Sequence, residues 1–71
     1  MMVSDLLKTL RKELNISQDE LARTIFVTTT TVSRWENGKS TPNRIAREML
    51  ADYCDKQGIK KELIEMVRKI R

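Results

Sequence analysis

Histidine is absent from this 71-residue chain, and cysteine occurs once, at Cys54. Without histidine the chain cannot build a Ser/His/Asp or Cys/His catalytic arrangement, and with one cysteine it lacks the ligands of a zinc cluster. We therefore expect no enzyme activity, no metal site and no cofactor. A lone cysteine also cannot close an internal disulfide, which is typical of proteins from a reducing compartment.

Long apolar runs are absent as well. No segment approaches the roughly 20 apolar residues that a membrane-spanning helix needs, and the N-terminus has no basic region followed by an apolar stretch. Charged residues make up 34% of the chain and hydrophobic residues 39%, which is ordinary for a soluble globular domain. We expect one small cytoplasmic domain over residues 1–71, with no membrane partner and no small-molecule ligand.

Positive charge is concentrated in the middle of the chain. The net charge is +4, and residues 23–47 hold five basic residues against Glu36 alone. The five are Arg23, Arg34, Lys39, Arg44 and Arg47. Such a cluster indicates either a solvated face or a surface that meets a polyanion.

The first half of the chain predicts two short helices. Apolar residues recur at three- and four-residue spacing through residues 4–14, with Ser4 as N-cap and Asn15 at the C-terminal end. The segment SQDE, residues 17–20, has the pattern of a capping box and predicts the start of a second helix.

The segment TTTTVSRWENGK, residues 28–39, is unusual because four β-branched threonines precede a tryptophan. Propensity alone favours a strand, but a helical wheel separates a polar arc from an apolar one that contains Val32 and Trp35. The polar arc consists of Thr29, Thr30, Ser33, Arg34 and Asn37. We therefore predict a third helix over about residues 28–37, capped by Thr28 and stopped at Gly38.

Two further helices complete the prediction. Thr41 and Pro42 predict a cap followed by proline at the first helical position, and the fourth helix then runs to Gly58. The fifth helix, about residues 59–70, carries an apolar stripe that either closes the monomer core or joins two copies. The stripe consists of Ile59, Leu63, Met66, Val67 and Ile70. The predicted fold is all-α, a compact bundle of five short helices.

Two short helices joined by a tight turn are the layout of a helix-turn-helix, whose second helix enters the DNA major groove. The segment LRKELNISQDELARTIFVTTTTVSRWENGKSTPN resembles the phage-repressor-like helix-turn-helix family, the Cro and cI type also called XRE. The matching features are SQ.EL, Ala22, Val27 and VSRWENGK followed by a proline, with the motif at about residues 17–38. The resemblance covers about residues 6–57 and implies a lambda-repressor-like bundle that binds double-stranded operator DNA.

One residue departs from the family pattern. The family usually has glycine in the turn where this chain has Phe26, and a bulky side chain resists positive φ. Either the turn takes another conformation or Phe26 tolerates backbone strain.

The resemblance assigns base reading to the third helix. Thr29, Thr30 and Arg34 match the usual base readers, and Thr28 and Ser33 lie beside them. Short hydroxyl side chains suit a helix in a groove about 12 Å wide, and arginine suits a bidentate contact with guanine. The alternative is that the threonines form only an exposed polar face.

Other residues match phosphate-binding and structural positions of the family. The phosphate positions are Gln18, Asn37, Lys39 and Arg44, although Lys39 and Arg44 also suit ordinary solvated charges. In the family an arginine on the first helix pairs with the glutamate before NG, and Arg11 and Glu36 match this pair. We expect Trp35 to anchor the core rather than stack on a base, and Cys54 to be a core residue or, alternatively, a redox sensor.

The sequence thus predicts a sequence-specific DNA-binding transcriptional regulator, a repressor by analogy with the family. Since one small bundle reads only about four to six base pairs, we expect a homodimer on a near-palindromic operator. The alternative is a protein-interaction module, such as an antitoxin or adaptor, with weak or secondary DNA binding.

Overall fold

The computed structural model describes residues 1–70, and this part of the chain forms five α-helices and no strand. The helices are α1 (Val3–Leu14), α2 (Gln18–Thr24), α3 (Thr29–Glu36), α4 (Arg44–Lys56) and α5 (Lys61–Arg68). The predicted all-α fold of five short helices is confirmed. Residue 71 of the predicted domain lies outside the described residues, and no helix among the described ones is long and apolar enough to cross a membrane.

One apolar core holds the helices together. Helix α1 packs against α3 and α5, α2 packs against α3, and α4 packs against α5. Every helix contributes side chains that are shielded from water, among them Leu7, Leu21, Val32, Leu50 and Val67. Burying a side chain of this size stabilises a fold by about 1.5 to 3 kcal/mol. The core therefore fixes α3 against the rest of the bundle from its inner side.

The starts of α2 and α3 and the C-terminal end of α1 follow the predicted capping signals. The capping box is present, because the Glu20 N–H donates to Ser17 Oγ at 3.0 Å and the Ser17 N–H donates to Glu20 Oε1 at 3.3 Å. Thr28 caps α3 by accepting the Thr31 N–H at 3.1 Å. Asn15 ends α1 in the left-handed conformation, with φ of 57°.

Two predicted helix starts are wrong. Helix α1 begins at Val3 with Met2 at the N-cap position, because the Leu6 N–H already bonds to the Met2 carbonyl, so Ser4 lies inside the helix. Helix α4 is capped by Asn43, whose Oδ1 accepts the Ala46 N–H at 2.9 Å. Pro42 therefore precedes the cap instead of opening the helix, and its ring is buried.

Helix α5 closes the core of the monomer. Ile64, Val67 and Ile70 are buried in the same apolar cluster as α1 and α4. Ile64 was absent from the predicted stripe, whereas Met66, which belonged to it, is 41% exposed. The helix, Lys61–Arg68, is shorter than predicted, since the Ile59 N–H bonds to the Cys54 carbonyl and completes the end of α4.

The turn between α2 and α3 keeps a left-handed residue. Phe26 has φ of 60°, and its side chain is 83% exposed. A side chain in this conformation costs about 1 to 2 kcal/mol relative to the right-handed region. Of the two conformations considered for this turn, the chain adopts the strained one, and the Val27 N–H bonds to the Ala22 carbonyl at 2.9 Å.

Candidate nucleic-acid interface

Helix α3 presents a polar outer face and a buried inner face. Thr29, Thr30 and Arg34 are exposed and Ser33 is half-buried, whereas Val32 and Trp35 are buried. Trp35 retains only 3% of its exposure, which confirms it as a core anchor. The structure thus brings the predicted base-reading side chains together on one side of a helix that cannot rotate without unpacking its core face.

The four threonines at the start of α3 differ in their hydrogen bonds. The hydroxyl of Thr28 caps the helix and also lies 2.8 Å from the hydroxyl of Thr31. The Thr29 hydroxyl donates to Asp19 Oδ1 at 2.8 Å, whereas the Thr30 hydroxyl has no hydrogen bond within residues 1–70. Thr28 therefore has a structural role as the cap of α3 in addition to its predicted role in base reading.

Sequence reasoning missed Asp19. Its carboxylate accepts the Thr29 hydroxyl and also pairs with Arg23 one helical turn further along α2. These bonds, the one from Thr29 first and those from Arg23 next, hold the pKa of Asp19 below its usual range. The spacing of Asp19 and Arg23 is a helical ion-pair signal, but nothing in the sequence connects Asp19 with Thr29.

The predicted ion pair between Arg11 and Glu36 is present at the C-terminal end of α3. Arg11 Nε lies 2.6 Å from Glu36 Oε2, Arg11 Nη2 lies 2.9 Å from Glu36 Oε1, and Arg11 Nη1 donates to the Ile16 carbonyl at 3.2 Å. Glu36 is 4% exposed. Burial alone would raise the pKa of Glu36, but the hydrogen bonds from Arg11 and Gln18 outweigh it and leave the pKa lowered.

Gln18 joins this ion pair to the start of α2. Its Nε2 donates to Glu36 Oε1 at 3.1 Å, and the side chain is half-buried. A side-chain amide nitrogen carries two protons, so one remains for a further acceptor. The predicted phosphate-binding residue is therefore held in place by the residue that ends α3.

The other predicted phosphate-binding residues lie at and beyond the end of α3. Asn37 is exposed and donates from Nδ2 to Ser33 Oγ at 3.3 Å. Gly38 has φ of 71°, and the Lys39 N–H bonds to the Arg34 carbonyl at 2.8 Å, which closes the helix and leaves the Lys39 side chain in solvent.

Arg44 is the first residue of α4 and lies in a basic region of the surface. It forms an exposed 3.5 Å pair with Glu48, and both side chains line a hollow with Arg47 and Arg68. Arg47 also donates to the Pro42 carbonyl at 3.0 Å. Arg68 was not a predicted site residue, because only the packing of α5 on α4 brings it to this hollow.

Cys54 is fully buried, and burial raises the pKa of its thiol to about 11. A thiol in this state is protonated and unreactive at neutral pH. Its environment fits a core residue, the first of the two roles considered. Within residues 1–70, no three Cys, Asp or Glu side chains lie close enough together to hold a metal ion.

Comparison with known proteins identifies the family of this chain. The family model described as helix-turn-helix matches residues 7–57. The HTH-type transcriptional activator BcrR of Enterococcus faecalis is 40% identical over 47 residues, which is 66% of this chain but only 23% of that protein's length. No solved structure matches the chain. The chain belongs to the helix-turn-helix family of DNA-binding regulators, in its phage-repressor-like or XRE branch.

Proposed function

We propose that the protein is a sequence-specific DNA-binding transcription regulator that inserts α3 into the major groove. The observation that carries this proposal is the two-sided character of α3, with hydroxyl side chains and Arg34 on its outer face and Val32 and Trp35 in the core. An α-helix with side chains is about 10 to 12 Å across, and the major groove is about 12 Å wide. Short side chains let the helix approach the base edges.

Arg34 is the strongest candidate for reading a base. Its side chain is exposed and has no ion-pair or hydrogen-bond partner within residues 1–70. A guanidinium can bond guanine O6 and N7 together, which discriminates against other bases by about 1 to 3 kcal/mol. Thr28, Thr29, Thr30 and Ser33 supply the remaining base contacts in this proposal.

Phosphate contacts at both ends of α3 would set its orientation. Gln18 has one amide proton left after its bond to Glu36, and Asn37, Lys39 and Arg44 are exposed. Arg11 neutralises Glu36, which removes a negative charge that would repel the phosphate backbone of DNA. Contacts of this kind position a protein without reading sequence.

Two copies are needed to read a full operator. The longest dimension of the described bundle is 26 Å, whereas successive major-groove faces on one side of DNA are about 34 Å apart. One copy therefore reads one half-site, and a near-palindromic operator recruits two. Val67 and Ile70 of the α5 stripe are buried in the monomer core, so we place a contact between copies through this helix at exposed Met66 and the hollow beside it, which Met1 and Val3 also line.

Repression is the regulatory effect that we propose by analogy with the phage-repressor-like family, in which a protein bound over a promoter would exclude polymerase by occupancy. The test is a reporter whose promoter contains the recovered site. Lower expression when the protein is present supports repression, and higher expression contradicts it.

Selection of bound sites from a random DNA pool tests the DNA-binding proposal. We expect an inverted repeat with half-sites about 10 base pairs apart. With Lys39 and Arg44 contacting phosphate in each of two copies, the log–log slope of affinity against salt should be about −3 to −4. Arg34→Ala should flatten preference among sites, whereas Lys39→Ala should weaken binding to all of them and reduce the slope.

A protein-interaction module is the second candidate, and exposed apolar side chains favour it. Phe26 is 83% exposed and Ile45 70% exposed, and neither is covered by another described residue. If selection recovers no site and binding to DNA is weak at all salt concentrations, this candidate replaces the first.

A further inference from the structure

The hydrogen bond between Thr29 and Asp19 has a fixed direction. Thr29 Oγ1 lies 2.8 Å from Asp19 Oδ1. A hydroxyl has one proton to donate, and an ionised carboxylate can only accept. The proton of the Thr29 hydroxyl is therefore committed to Asp19, and only the lone pairs of its oxygen remain for another partner.

Arg23 holds the carboxylate of Asp19 in position. It pairs with Oδ2, the oxygen that Thr29 does not use, and both residues belong to α2. The carboxylate is ionised at neutral pH, and the hydrogen bond from Thr29 first and the contacts from Arg23 next lower the pKa of Asp19 further below its usual range. The side chain of Asp19 remains 54% exposed, so this group lies on the surface that the start of α3 shares.

We propose that Asp19 is a specificity-determining residue, because it makes the Thr29 hydroxyl an acceptor only and so directs it to a base that donates. In the major groove the donors are the N6 amino group of adenine and the N4 amino group of cytosine. Guanine offers N7 and O6 and thymine offers O4, all of which are acceptors. The inference rests on the proposed function, since it requires α3 to lie in the groove.

The same bond excludes phosphate as the partner of Thr29. Phosphate oxygens accept hydrogen bonds, so they cannot engage a hydroxyl whose proton is already donated. Thr30, the next residue, has no such bond within residues 1–70 and stays able to donate or accept. Two neighbouring threonines with the same chemistry therefore have different base preferences.

Site selection with matched variants tests the inference. In sites selected by the wild-type protein, one base pair should be preferred by about tenfold, and replacing its adenine or cytosine by an analogue that lacks the exocyclic amino group should remove this preference. Thr29→Val and Asp19→Ala should each reduce this preference to within about twofold at that position. Thr29→Ser keeps the hydroxyl and should retain the preference. Glu13→Ala, which removes an exposed carboxylate from α1, should raise affinity for all DNA without changing any position.

The outcomes separate this inference from the proposed function. If the wild type selects a defined site but loss of the amino group at the base pair altered by Thr29→Val leaves its affinity unchanged, or if Asp19→Ala leaves the preference unchanged, the role of Asp19 is refuted and α3 still reads DNA. If Thr30→Val alters the same position as Thr29→Val, the separation of the two threonines is refuted. If the wild type selects no site, both the inference and the proposed function fail.

Discussion

Arg11→Ala should destabilise the fold far more than loss of an ordinary surface ion pair. Glu36 is 4% exposed, and removing Arg11 would leave its carboxylate with only Gln18 as a hydrogen-bond donor. Breaking a buried pair costs about 3 to 5 kcal/mol, and an exposed pair about 0 to 1 kcal/mol. Because the Arg11 side chain is 25% exposed, water can partly replace it, so we expect a loss of about 2 to 3 kcal/mol.

Thermal unfolding followed by circular dichroism measures this loss. In a domain of this size, about 2 to 3 kcal/mol lowers Tm by about 10 to 20 °C. Lys56→Ala is the matched control, since Lys56 and Asp52 form an exposed pair at 3.2 Å whose loss should shift Tm by only a few degrees. If Arg11→Ala melts no lower than Lys56→Ala, the reasoning from burial is wrong.

Four further predictions concern strain, pH, the thiol and assembly. Phe26→Gly should raise Tm by a few degrees because it relieves the left-handed strain, whereas Phe26→Ala should not, and equal melting of the two variants would contradict the strain. Because the pKa of Glu36 is lowered in the folded state, its ion pair stabilises the fold above about pH 4.3, and this stabilisation is lost as the pH falls through the folded-state pKa. Glu36→Gln should therefore lose less stability than the wild type between about pH 6 and pH 3, as measured by urea titrations. Cys54 should resist a maleimide at pH 8 in the native protein and react once urea unfolds it; rapid native labelling would show that the thiol is accessible. Met66→Asp should leave Tm nearly unchanged but weaken the binding of two copies to an inverted repeat relative to a half-site, and unchanged cooperativity would place the contact between copies elsewhere.

Local signals predicted much of the fold. The capping box at Ser17 and the stop at Gly38 depend on residues within one turn, so their sequence patterns are sufficient. The start of α4 was misplaced because Thr41 and Asn43 are both good caps, and the choice between them depends on burial of the Pro42 ring, which is a tertiary effect. Ser4 is not the N-cap of α1, because apolar packing extends the helix beyond this residue, although local rules favour it as a cap.

The candidate site was predictable only in part. Helical periodicity is enough to place Thr29 and Arg34 on one face of α3, since it requires no knowledge of neighbouring helices. The bond from Thr29 to Asp19 joins residues ten positions apart and depends on how α2 crosses α3. The bond from Gln18 to Glu36 likewise arises from packing between helices, which sequence spacing does not specify.

Replacement of one guanine by 7-deazaguanine tests the central claim most directly. This analogue removes N7 from the major groove and leaves base pairing and the minor groove unchanged. At the guanine assigned to Arg34 in the selected site, wild-type affinity should fall about tenfold, and the affinity of Arg34→Ala should not change. Unchanged wild-type affinity at every guanine of the site would contradict the insertion of α3 into the major groove, and an equal loss in Arg34→Ala would refute Arg34 as the residue that contacts this guanine.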